Sequence, residues 1–188
     1  MSSLCSDAEL QELMEALQAD DGRELEQADR LIASYPEDAR LHFLRGSILA
    51  GIGRPIEALP ALRRAVELAP DFAIARFQLG FFELTSGEAA SALSTWGPLA
   101  LLPEGHYLRK FVGGLTHLIR DEFAESIEQL REGIALNNEN PALNRDMQLL
   151  IDQAAELLSG QSRPAEDREA ASATSFLLNQ FAGRGDAG

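Results

Sequence analysis

The chain has 188 residues, 45% of them hydrophobic and only 6% aromatic, with Phe supplying most of the aromatics. That size and hydrophobicity suit one compact domain or one short repeat array, and exclude a chain too polar to fold. A formal net charge of −14 argues against binding to phosphate backbones and against anionic membrane surfaces.

The elements follow in chain order. Ser6 or Asp7 caps a first helix through Leu17, with Leu10, Leu13, Met14 and Leu17 on one face. A second helix near 22–34 ends at Tyr35-Pro36, because proline disfavours a helical residue before it. Six further helices are expected near 39–51, 55–68, 73–85, 88–101, 105–119 and 122–136. Pro141 opens another amphipathic helix carrying Leu143, Met147, Leu150, Ile151, Ala154 and Leu158. No second helix follows it at the same distance. Residues 160–169 are linker-like, and ASATSFLLNQF then forms a short apolar segment.

A shift of 34 residues superposes the sequence on itself. Gly46, Gly80 and Gly114 form one series; Ala58, Ala92 and Ser126 form a second, all small. Leu59, Leu93 and Ile127 form a third, and Leu62, Trp96 and Leu130 a fourth. Small residues let the two helices of a hairpin approach, and large apolar residues fill the seams. Gly53 and Gly87 end the first helix of their units, where a left-handed residue is needed, and Asp121 takes that place in the third. Pro70 and Pro103 stop the second helix.

Segment 39–72, with Gly46, Gly53, Ala58, Ala65 and Pro70 at its spaced positions, resembles a tetratricopeptide repeat almost throughout. The resemblance extends over 73–106 and, in degenerate form, over 107–140, where Gly113-Gly114 replaces the usual Leu-Gly. It implies an all-α, right-handed superhelix of three repeats. A divergent helical hairpin over 1–38 precedes them, a capping helix over 141–159 follows, and 160–188 forms a linker and apolar tail. It also implies a peptide-binding groove on the first helix of each repeat. Carried onto this chain, that groove comprises Arg40, Phe43, Ser47 and Ala50; Ile74, Phe77, Phe81 and Leu84; and Leu108, Phe111, Leu115 and Leu118. The last two sets are entirely apolar. The Lys and Asn residues with which relatives clamp a terminal carboxylate are absent, so an apolar helix or segment is the expected ligand.

An apolar surface of that extent calls for a cover. The chain's own Phe176, Leu177, Leu178 and Phe181, a second copy forming a homodimer, and a foreign partner are the three occupants. The alternative is that tight curvature buries these side chains as ordinary core. The functional expectation is a non-catalytic adaptor or scaffold for another protein. The chain also resembles small acidic bacterial chaperones that hold exported proteins, and a structural homo-oligomer is a third reading.

No catalytic motif, phosphate loop or metal-ligand spacing links His42, His106, His117 and Cys5, so neither an enzyme nor a cofactor is expected. The acids are concentrated at the start: residues 1–38 hold eleven against two arginines, a net −9. This reads either as a solvated face or as a seat for a basic partner. Without a basic-apolar leader or a membrane-length apolar run, the expected location is cytoplasmic and no membrane insertion is expected.

Overall fold

The computed structural model describes residues 4–19 and 22–161. Within them the chain is all-α: α1 Asp7–Ala19, α2 Glu24–Ser34, α3 Ala39–Gly51, α4 Pro55–Leu68, α5 Ala73–Thr85, α6 Ala89–Trp96, α7 Tyr107–Ile119, α8 Phe123–Leu136 and α9 Pro141–Gln161. A 3₁₀ segment, Gly97–Leu101, follows α6. No strand occurs among the described residues. The chain divides into two compact units, the first ending at Phe82 and the second beginning at Glu83, so that α5 runs through the boundary.

Helices α3, α5, α7 and α9 start at 39, 73, 107 and 141, each 34 residues after the last. Their first hairpin turns repeat with the same step. Gly53, Gly87 and Asp121 have φ of 73°, 87° and 59°. The following N–H reaches back five residues in all three: Arg54 to Leu49 O (2.8 Å), Glu88 to Glu83 O (2.9 Å) and Glu122 to His117 O (3.0 Å). A shorter bond nests inside each, from Gly53 to Ala50 O, Gly87 to Leu84 O and Asp121 to Leu118 O. This paired pattern is the Schellman ending, which satisfies carbonyls left open at a helix C-terminus. Asp121 adopts the left-handed conformation in a glycine's place, which aspartate tolerates better than most residues.

In the first unit, Ser6 caps α1. Its Oγ accepts from the Glu9 N–H at 3.3 Å, while Glu9 Oε2 accepts from the Ser6 N–H at 3.0 Å, a reciprocal capping box. Leu13 of α1 is fully buried in a cluster with Cys5, Ala28, Leu41 and Ile48, against which Leu10 and Leu17 pack, whereas Met14 is 43% exposed. α3 and α4 form a hairpin that packs tightly at Gly46. A Cβ placed there would lie 2.7 Å from Leu62 Cγ. Pro60 lies inside α4 and leaves the Ile56 carbonyl without its helical donor, but both residues are exposed, so water can supply the bond.

In the second unit, α7 and α8 repeat that contact: a Cβ at Gly114 would lie 2.6 Å from Leu130 Cγ. The expected helix over 88–101 is shorter, because Pro98 has no N–H for the Ser94 carbonyl. Gly97 takes that carbonyl instead, and the chain tightens into the 3₁₀ segment. α7 begins at Tyr107 rather than 105, with His106 as its cap; His106 Nδ1 accepts from the Leu108 N–H at 3.2 Å. α9 packs on α8 through its buried Leu143, Met147, Leu150, Ile151 and Ala154 and extends past the expected 159 to Gln161. The Asn137 side chain organises the turn before α9. Its Oδ1 accepts from the Asn140 N–H (3.0 Å), and its Nδ2 donates to Asn144 Oδ1 (2.9 Å).

Candidate interaction surface

The twelve groove positions do not share one environment. In the first unit, Phe43, Ser47 and Ile74 are partly exposed. Phe43 meets Phe72 edge-on at 5.3 Å between ring centroids, a favourable aromatic geometry, and Ser47 Oγ donates to the Phe43 carbonyl (3.0 Å). Phe77 and Phe81 stack at 6.1 Å, and both are buried. Arg40 is committed elsewhere. Its guanidinium donates to Asp38 Oδ2 and to the Cys5 carbonyl, each at 2.7 Å.

In the second unit, Leu84, Leu108, Phe111, Leu115 and Leu118 are all buried, none more than 3% exposed. The reason is visible at Phe111. Its ring lies where a Cβ on Gly133 of α8 would be 2.4 Å from Cδ1, and it meets Tyr107 edge-on at 5.8 Å. Phe111 therefore fills its own hairpin. Seven of the twelve positions are interior.

What this unit does expose is the adjoining side of α7. A surface cleft of about 480 Å³ is lined by Leu99, Arg109, Lys110, Val112, Gly113 and Gln129, among others. The 3₁₀ segment forms one wall, because Pro98 turns Leu99 and Ala100 out of the helical path. Gly113 leaves room on α7, since a Cβ there would stand 3.3 Å from Gln129 Oε1. Arg109 Nη1 donates to the Leu102 carbonyl (2.8 Å), and Lys110 Nζ pairs with Glu132 (2.6 Å). A lining that mixes Leu99, Ala100 and Val112 with Glu104, Gln129 and the tethered Arg109 and Lys110 suits a mixed peptide surface better than a bare anion. Arg109, Lys110, Val112 and Gly113 sit one or two places from the expected groove positions. The doubled glycine at 113–114 is the sequence signal that marks the cleft.

The histidines have separate structural partners. His42 Nε2 lies 2.8 Å from the Pro36 carbonyl, His106 caps α7, and His117 Nδ1 lies 2.5 Å from Glu122 Oε2. Among the described residues, no group of three or more His, Cys, Asp or Glu could hold a metal ion. None of the described helices is long and apolar enough to cross a membrane. Tyr107 is buried and its phenol is pushed up to about 12, mainly by loss of solvent and then by the Glu139 carboxylate. Phe176, Leu177, Leu178 and Phe181, the expected apolar cover, lie outside the described residues. Comparison with protein-family profiles gives no match, and neither does comparison with curated protein sequences.

Proposed function

We propose that this chain is a non-catalytic protein-interaction module of the tetratricopeptide-repeat kind, working in the cytoplasm as an adaptor for a peptide or helix of another protein. The observation that carries the reading is the 34-residue recurrence of helix start, left-handed turn and small-on-large contact, 46 on 62 and 114 on 130. Such hairpins bury their larger side chains between helices and leave the outer side of each first helix for a ligand. The ligand surface in this reading is the Phe43–Ile74 patch in the first unit and the Leu99–Val112 cleft in the second. Acidity and size also suit a chaperone of exported proteins, with the same surfaces holding its client.

The test is selection from a displayed random-peptide library against the native protein, Phe43→Glu and Val112→Glu. Both sites are partly exposed, so a charge there changes the surface rather than the core. Charges at Phe77 or Phe111 would unfold the chain instead. Enrichment of apolar peptides that one variant abolishes supports the module and identifies its surface. Absence of enrichment, or enrichment indifferent to both variants, rejects it.

A further inference from the structure

The cleft beside α7 holds a cation that no carboxylate of the described residues pairs. The partly buried Arg40, Arg45 and Arg64 are matched by Asp38, Asp29 and Glu37 in turn. Arg109 is partly buried too, but its guanidinium makes a single hydrogen bond among the described residues, from Nη1 to the Leu102 carbonyl (2.8 Å). Its remaining N–H donors face the cleft without an acceptor. Lys110 beside it is already matched by Glu132 at 2.6 Å. Glu104 lines the same cleft without an ion pair, but it is exposed and stays hydrated. A guanidinium that has lost part of its water and gained no counter-ion is a seat for an anion, because charge-assisted hydrogen bonds outlast neutral ones. The carbonyl tether holds the fork in place beforehand, so little rotamer freedom is lost on binding. Arg109, Val112 and Gly113 stand at i, i+3 and i+4 on α7 and share one side of it. The seat therefore adjoins the apolar part of the lining, Leu99, Ala100 and Val112.

We propose that this cleft selects peptides in which one acidic side chain stands beside an apolar one. The carboxylate sits on Arg109, and the apolar side chain enters between Leu99 and Val112, where Gly113 contributes no side chain. The proposal rests on the adaptor reading above and adds the chemistry of its ligand. A surface cleft lets the bound chain run on past the contact, so the carboxylate is that of a side chain rather than a chain end. One acid, not a run of them, follows from the charge of the whole chain. At a net charge of −14, each further carboxylate on the ligand meets a repulsion that Arg109 does not offset.

Peptide-library selection on the full chain tests it, with native protein beside Val112→Glu, Arg109→Gln and Glu104→Gln. Peptides enriched by native protein but not by Val112→Glu should carry an Asp or Glu next to an apolar residue. Such a peptide, synthesised with an amidated C-terminus, should bind Arg109→Gln at least ~10-fold more weakly than native protein. The same peptide with its acid replaced by the amide should bind both proteins equally, which separates a lost carboxylate contact from a damaged fold. Val112-dependent peptides without an acid, or an acid whose replacement costs no affinity, overturn the proposal and leave the adaptor reading standing. Binding that needs a free C-terminus, or enrichment of basic peptides lost in Glu104→Gln, does the same. No enrichment at all rejects both.

Discussion

At the scale of single residues, Asp38 is a buried carboxylate that ties the segment before α1 to α3. It is 1% exposed, caps α3 by accepting from the Arg40 N–H (3.0 Å), and accepts from the Cys5 N–H (3.0 Å). Arg40 completes the clasp by bonding the Cys5 carbonyl, so both polar groups of one peptide residue are held by an Asp–Arg pair. Glu9, which closes the capping box, also accepts from the Tyr35 hydroxyl at 3.2 Å. The sequence shows Asp38 only as one acid among eleven, because its partner Cys5 is 33 positions away and leaves no local periodicity. Asp38→Ala leaves the buried Cys5 N–H without its acceptor and the partly exposed Arg40 without its carboxylate, and should cost on the order of 2 kcal/mol in urea unfolding at neutral pH. Burial pushes the Asp38 carboxyl up, but the Arg40 guanidinium and the Arg40 and Cys5 N–H groups outweigh it and hold it below its ordinary value. Its contribution is therefore complete above the ordinary aspartate value near ~3.9 and is lost as pH falls through the lower folded value. Asp38→Asn should flatten that acid limb. An unchanged slope would show that another carboxyl governs it.

At the scale of elements, helix boundaries were legible where they depend on one or two residues. Tyr35-Pro36, Gly53, Gly87 and Pro141 each mark an end or a start by backbone chemistry, and the period carried the same turn onto Asp121 without a glycine. Facing was less legible. An apolar residue at helical spacing is equally suited to a groove or to a hairpin interior, and only the contact with Gly133 places Phe111 inside. The glycines themselves give a differential test. Gly46 and Gly114 have Leu62 and Leu130 within 2.7 Å of an added Cβ, whereas Gly51, at the end of α3, has nothing within 4 Å. Alanine gains up to ~1 kcal/mol of helix propensity at any of the three, but overpacking costs ~1–3 kcal/mol at the first two. Gly51→Ala should therefore raise the unfolding midpoint, while Gly46→Ala and Gly114→Ala lower it. A uniform rise across the three would mean that the hairpins are not in close contact there.

At the scale of the whole molecule, charge is the property that local contacts leave unbalanced. Thirty acids face sixteen Lys and Arg residues, so at least fourteen acids lack a one-to-one cation. The ion pairs that do form are mostly exposed, such as Arg54–Glu57 and Arg64–Glu67, and pairs of that kind are worth only ~0–1 kcal/mol each. Salt weakens both these attractions and the longer-range repulsion among acids, but repulsion has the larger number of terms. Residues 1–38 concentrate it at a net −9. Stability should therefore increase between ~10 mM and ~0.3 M sodium chloride, as the screening length contracts from ~30 Å to below 10 Å. Glu12→Lys and Glu26→Lys, both at exposed positions of the first two helices, should reduce that gain by relieving the repulsion in advance. Thermal unfolding of the native and double-variant chains across that range decides the point. A native melting temperature that falls with salt would mean that the exposed pairs outweigh the surplus of acids. A rise of equal size in both chains would move the repulsion away from α1 and α2.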